Sequence, residues 1–480
     1  MAWVLLYWRM NFVLSSRVLA SCSAVLLSAV AALGAMSGQQ QDWITKAKKF
    51  ERHGWTYLHI EGEPGERGFQ HGYVMAREIA DCLRSTRDLW EHGSAMPWSW
   101  LVERTAGLFT NRIDAEDLAE LGGIAEGMRA AGQAATLDEL VAYNGIIELS
   151  EYWWPTELKK LKDGPAPAVK ESCSAFIATG RMTRDGGVVL GHNTMMDYAS
   201  PFPNVIADIA PAKGHRILWQ TQPGWIHSGM DFFITDAGLV GAETTIGGFE
   251  GFDTNGVPEF VRMRRATQDA SSIDQWCEIM RKGNNGGYAN AWLVGDIHTR
   301  EIARLELGLR QIGFEKKRDG YFVGSNVAED RKLLVFETDS KDTDIRQSSV
   351  ARRVRWKQLM KQYAGRIDVA TAKRFEADHY DSYREKMLPG GRSLCGHFEL
   401  DPDGFGSWPG VPYGCAGTVD AKVVDAAMAA KMSFSARWGS ACGRAFDARQ
   451  FLAAHPQFDF LEGDLKSRPS QPWTDFRAGE

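Results

Sequence analysis

The stretch Glu171–Tyr198, ESCSAFIATGRMTRDGGVVLGHNTMMDY, decides how the chain is built. From Cys173 onward the residues are small, β-branched or aromatic, and VVLGHN repeats that character after TRDGG, which carries the turn pair Asp185-Gly186. Two strands and a tight hairpin are expected. With Asp185 and Gly186 at the centre of the turn, Cys173 faces Tyr198, Ser174 faces Asp197 and His192 faces Thr179. That register brings Asp197 closer to Cys173 than His192. Residues 162–172, within KKLKDGPAPAVKES, have neither helical nor strand period and read as an exposed linker. A cut between Ser172 and Cys173 would put a thiol and a free α-amine on one residue, the amine serving as base to the nucleophile. The alternative for a strand cysteine is an inert small hydrophobe.

Upstream, residues 36–161 read as a helical amino-terminal region, with apolar residues at spacings of three and four in VMAREIADCLRSTRDLW and AEDLAELGGIAEGMRAA. Downstream, strands are expected at DFFITDAGLVGAET, NAWLVGDI, EIARLELG and GYFVGSN, and helices at FVRMRRATQ, SIDQWCEIMRK and SVARRVRWKQLMKQYA. Residues 173–480 then form an α+β core of antiparallel sheet covered by helices. The 480 residues are 44% hydrophobic and 24% charged, an ordinary globular balance. With 55 Lys and Arg against 61 Asp and Glu, the net charge is -6 and no basic stripe is present, which argues against nucleic acid as a partner.

Residues 1–35 read as an export signal: Arg9 and Arg17 precede an uncharged apolar run from Val18 to Leu33, with Ala32 and Gly34 offering a cleavage site. An uncleaved anchor is the alternative. The chain has no N-x-S/T sequon, so a bacterial periplasmic or secreted setting is favoured. Six cysteines follow the signal, at 82, 173, 277, 395, 415 and 442, and their spacings match no zinc pattern. Neither a metal nor an organic cofactor is expected.

The blocks ESCSAFIA, GHNTMMDY, GLVGAETTI, FVRMRRATQ, NNGGYANAW, GYFVGSN and GTVDAKV resemble, in order, the signature blocks of the phospholipase B-like proteins. GERGFQHG and PSQPWTDF resemble that family's propeptide region and carboxyl-terminal ending. The similarity to choloylglycine hydrolases and isopenicillin-N acyltransferases is looser. The resemblance implies a four-layer αββα sandwich of two antiparallel sheets, the N-terminal nucleophile hydrolase fold, with autocleavage before Cys173. It implies Cys173 as nucleophile, His192 as a group that orients or activates it, and Asn326 as oxyanion donor. Thr244 and Asn290 would line the pocket or donate further hydrogen bonds. Asp197 matches an acid that choloylglycine hydrolases carry after this hairpin and that phospholipase B-like proteins do not reliably have. Blander roles are a strand-end histidine at 192, a β-branched pair at Thr244 and Thr245, a turn residue at Asn290 and a strand cap at Asn326.

A serine hydrolase is the rival enzyme, but there is no G-x-S-x-G elbow, and neither G-x-G-x-x-G nor a P-loop occurs. The expected activity is hydrolysis of an amide or ester acyl bond in a small lipid or N-acyl substrate, through a thioester at Cys173. The alternative is a lipid or acyl-ligand binding protein with little or no turnover on the same fold. Oligomeric state has no signature in the sequence.

Overall fold

The computed structural model describes residues 36–161, 173–201, 204–229, 231–404 and 410–480. The expected export signal and the expected linker, residues 1–35 and 162–172, lie outside these residues. The strand that begins beside Cys173, β3 (Ser174–Thr179), is buried at every position. Its side chains alternate between two cores. Ala175 and Ile177 pack with Leu190, Leu218, Ile234 and Leu293 between two sheets, whereas Phe176 and Ala178 pack with Trp356, Leu359 and Phe375 of helices Ser348–Gln362 and Val369–Glu376. A strand covered on both faces needs no polar alternation, which explains the continuous run SAFIAT.

Strands are numbered in chain order. The first sheet runs β1 (Lys48–Arg52), β2 (Trp55–Gly62), β5 (Val205–Pro211), β6 (Ile217–Thr221), β7 (Phe232–Thr235), β8 (Leu239–Thr245), β9 (Asn290–Asp296), β10 (Ile302–Leu307) and β11 (Ile312–Lys317). The second runs β12 (Gly320–Gly324), β3, β4 (Val189–Asp197), β15 (Ala416–Asp425), β16 (Ser433–Trp438) and β17 (Thr474–Arg477). A short hairpin, β13 (Tyr380–Asp381) with β14 (Lys386–Met387), stands apart. On the outer face of the first sheet, Trp219, Phe233 and Trp292 pack against Ile79, Leu121 and Trp276 of the helices. The four layers are therefore helix, sheet, sheet, helix, the expected αββα sandwich.

Three readings of the sequence are corrected. The amino-terminal region is not only helical, because β1 and β2 belong to the first sheet, and WTYLHIEG is buried over its first six residues. The sheets are not wholly antiparallel, since β2 pairs in parallel with β5. The β3–β4 register is shifted: Ser174 pairs with Asn193 and Ala175 with His192. Asp197 pairs instead with Ala416 of β15. The physical reason lies in the turn. The chain leaves β3 at Gly180, which adopts a left-handed φ of 63°, and Thr183 then bridges to Ile367, so the connection is long and partly held from outside the hairpin.

Several sequence blocks prove to be packing devices. In GERGFQHG, a Cβ at Gly68 or Gly72 would overlap the backbone carbonyls of Glu120 and Ile124, so glycine lets helices Pro64–Val74 and Ala115–Ala130 touch along their backbones. Arg67 of the same block is buried, donating to Glu120 at 2.6 Å and Glu116 at 2.9 Å. Arg264 of FVRMRRATQ reaches the same Glu120 carboxylate at 3.1 Å. Arg262 donates to the Met280 carbonyl at 2.5 Å and to Asn285 at 3.3 Å, tying that helix to NNGGYANAW. Among the described residues no helix is long and apolar enough to cross a membrane.

Candidate functional site

Cys173 is 3% exposed and has a left-handed φ of 72°, a conformation that a residue with a Cβ adopts only under constraint. The constraint is visible. Arg352 donates from Nη1 to the Cys173 carbonyl at 2.7 Å and from Nη2 to Asn326 Oδ1 at 2.6 Å. Asn326, itself at φ 71°, donates from Nδ2 to the Thr245 carbonyl at 2.7 Å. One guanidinium thus links the start of β3, the end of β12 and the end of β8.

Around the sulfur stand two carboxyls that sequence reasoning missed. Ligand atoms of Cys173, Asp231 and Glu243 all lie within 4.8 Å of one another. The Tyr288 hydroxyl sits 3.1 Å from Asp231 Oδ2 and 2.9 Å from Glu243 Oε2, and Thr245 Oγ1 lies 3.2 Å from it. A phenol has one proton to give, so bridging both carboxyls requires that one of them be protonated. Burial drives the Asp231 carboxyl up to about 7 and Glu243 well above the usual carboxylate range, the latter also through the charge of Asp231. Both shifts favour keeping a proton on the pair. Burial, with the charge of Asp231, pushes the Cys173 thiol up to about 12, opposed by the Met195 backbone N–H and by Lys422.

Lys422 is fully buried on β15, donating to Asp420 Oδ1 at 2.7 Å, Thr194 Oγ1 at 2.6 Å and the side-chain Oε1 of Gln220. Gln220 Nε2 in turn donates to Asp420 Oδ2 at 2.7 Å, so this ion pair between the sheets is hydrogen-bonded on both members. The signal available in the sequence was a charged residue interrupting an apolar strand, in AETT and in VDAKV.

The expected site residues divide. Cys173 and Asp197 both line a cavity of about 700 Å³ together with Asp231, Tyr288 and Trp225. His192 is buried between the sheets, its Nε2 2.9 Å from the Glu243 carbonyl. A carbonyl only accepts, so Nε2 carries the proton and Nδ1 is the bare nitrogen, buried with no hydrogen bond among the described residues. Burial and Lys422 hold the imidazole well below its ordinary pKa, hence neutral. Thr244 points across the sandwich, since a Cβ at Gly324 would meet its hydroxyl, and that hydroxyl has no hydrogen bond among the described residues. Asn290 opens β9 opposite Thr245, and both polar atoms of its amide are buried without hydrogen bonds among the described residues.

The cavity wall is mostly apolar, with Leu89, Trp90, Ile147 and Trp154 contributed by the amino-terminal helices and Met196 and Phe460 by later segments. The family model for phospholipase B matches residues 118–309, which include Cys173, Asp231, Glu243 and Tyr288. Over that stretch the chain is similar to the phospholipase B-like proteins. It is 32% identical over 142 residues to the putative phospholipase B-like 2 of Bos taurus, covering 26% of this chain and 24% of that protein. The putative phospholipase B-like 2 of Rattus norvegicus is 35% identical over 146 residues, with the same coverages of 26% and 24%. An uncharacterized protein of Archaeoglobus fulgidus is 25% identical over 264 residues, covering 51% of this chain and 42% of that protein. The matches thus span less than half the length of these relatives. Among solved structures, the mutant C2A conjugated bile acid hydrolase from Clostridium perfringens aligns at 10% identity and a TM-score of 0.32, covering 55% of this chain and 89% of that chain. The part matched to the phospholipase B-like family carries the cysteine and its carboxyl cluster, whereas Asn326, Arg352 and Lys422 lie beyond it.

Proposed function

We propose that this chain is an exported hydrolase that cuts itself before Cys173 and then cleaves an amide or ester acyl bond of a lipid or N-acyl compound through a thioester on that residue. The observation that carries the reading is the position of Cys173: strained in φ, beside a carboxyl pair that shares a proton, on the wall of a largely apolar cavity. A non-glycine residue held in the left-handed region stores about 1–3 kcal/mol. Cutting the preceding peptide bond removes the carbonyl against which φ is strained.

In processing, the ionised member of the Asp231–Glu243 pair takes the thiol proton and Sγ attacks the Ser172 carbonyl carbon. The peptide nitrogen leaves with a proton, and water hydrolyses the resulting thioester to a Ser172 carboxylate and a free α-amine on Cys173. In turnover that amine takes the thiol proton, Sγ forms a thioester with the substrate acyl group, the amine or alcohol leaves protonated, and water releases the fatty or N-linked acid. Asn326 and backbone amides would stabilise the oxyanion, and the unpaired amide of Asn290 could receive a polar group of the substrate. Asp197, at the cavity wall, would contact the leaving group. The amino-terminal region would have to stay bound after the cut, since its helices build much of the apolar wall.

The test is a panel of lipid esters and N-acyl amides assayed with wild-type protein and Cys173→Ala. Acid release by wild type and none by the folded variant is expected. Equal rates would move the activity elsewhere, and tight acyl-ligand binding without release would favour a binding protein.

A further inference from the structure

Far from Cys173 in the chain, four side chains with metal-binding atoms converge: His379, Cys395, His397 and Cys442, whose ligand atoms all lie within 4.8 Å of one another. Three come from the excursion around the β13–β14 hairpin, and Cys442 comes from the turn after β16. His397 Nε2 is 3.5 Å from Cys395 Sγ and 3.5 Å from Cys442 Sγ. A tetrahedral zinc ion, with Zn–S of about 2.3 Å and Zn–N of about 2.0–2.1 Å, requires nitrogen–sulfur edges of about 3.5 Å. His379 Nε2 is buried and has no hydrogen bond among the described residues, and its ring stands edge-on to that of His397 at a centroid distance of 5.2 Å.

The surroundings also match a metal centre. His397 Nδ1 lies 2.9 Å from Glu399 Oε1, the carboxylate–histidine arrangement that presents the other ring nitrogen to a metal. Arg444 N donates to Cys442 Sγ at 3.4 Å, and the Ser440 hydroxyl lies 3.4 Å from the same sulfur, contacts suited to a thiolate. A Cys395–Cys442 disulfide would also join the two segments, but it leaves two imidazole nitrogens aimed at sulfurs with no hydrogen to accept from them. All four residues lie outside the stretch matched by the family model.

We propose that His379, Cys395, His397 and Cys442 form a closed Cys₂His₂ site for zinc(II), a structural clamp that ties the 379–397 excursion to the end of β16. Four protein ligands leave no open position for a substrate, so the clamp serves folding rather than hydrolysis. The ligand spacing does not match a local zinc motif, which is why the sequence shows no sign of it.

The experiment uses the full chain. Elemental analysis of protein purified without added metal should give one zinc per chain. After removal of the metal with a chelator under reducing conditions, cobalt(II) should restore one equivalent with the visible absorption of tetrahedral thiolate coordination. Cys442→Ser should abolish that spectrum, Cys173→Ala should keep it, and Glu399→Gln should weaken cobalt binding by roughly ten- to a hundredfold. The wild-type cobalt spectrum serves as readout if Cys442→Ser fails to fold. A native mass two hydrogens light at a Cys395–Cys442 peptide, or reduced wild-type protein that gives no thiolate–cobalt spectrum, overturns the proposal. So does a spectrum lost with Cys173→Ala and retained with Cys442→Ser.

Discussion

Arg352 donates to the backbone carbonyl of Cys173 at 2.7 Å from a position 179 residues further along the chain. The guanidinium is buried, and its other arm holds Asn326, so one side chain is hydrogen-bonded to both the proposed nucleophile and the proposed oxyanion donor.

Arg352→Met should therefore remove two hydrogen bonds to buried acceptors, cost about 1–3 kcal/mol for each, and lower the urea midpoint accordingly. Arg352→Lys, which keeps the charge but not the fork, should recover part of the stability and little of the processing rate. Asn326→Ala should lower kcat by roughly a hundredfold to a thousandfold with KM little changed, as for loss of one oxyanion donor. A folded Asn326→Ala protein with wild-type kcat would remove Asn326 from the chemistry and leave it as an anchor for Arg352.

Purified protein should contain a fragment of roughly 34 kDa beginning at Cys173, by scaling the mass to length. The amino-terminal fragment should coelute with it in native gel filtration, because β2 is paired with β5 inside the first sheet. Denaturant should be needed to separate them. Spontaneous release of the smaller fragment, with hydrolysis retained, would show that the cavity wall it supplies is dispensable.

Thiol reactivity should change on cleavage. With the thiol pushed up to about 12 in the uncut chain, iodoacetamide at neutral pH should label Cys173 slowly. In the cut species the adjacent α-amine lowers that barrier, and Cys173 should label ahead of the other cysteines with loss of hydrolysis in proportion. Peptide mapping of cut and uncut species from one preparation measures both rates. Equal labelling of the two would argue against activation by the amine.

The Asp231 carboxyl, raised to about 7 by burial, sets a pH dependence of stability. Between the unfolded carboxylate range and about 7 the native state holds more protons than the unfolded one, so this group's contribution falls as pH rises through that window. Asp231→Asn, placed in the uncut Cys173→Ala background, should flatten the decline. The difference in Tm between variant and parent should grow from pH 4 to pH 7. A constant difference would mean that Asp231 is ionised throughout.

What the sequence by itself determined is local: the strand character of CSAFIATG and VVLGHN, the helices at FVRMRRATQ and SVARRVRWKQLMKQYA, and an ordered set of blocks consistent with an αββα sandwich. The strands and helices follow from side-chain period, a property of a few neighbouring residues, and the sandwich from the resemblance of the blocks to a known family. Tertiary structure decided the rest. The hairpin register moved because Thr183 bridges to Ile367, which brought His192 opposite Ala175 and sent Asp197 to β15. Asp231, Glu243 and Tyr288 became one proton-sharing cluster only when β7, β8 and the approach to β9 were laid side by side, and Arg352 reached Cys173 across the outer face of the second sheet. The Cys₂His₂ convergence has the same origin. Distances between residues far apart in sequence are set by strand order and loop path, and no local pattern of residue types encodes them.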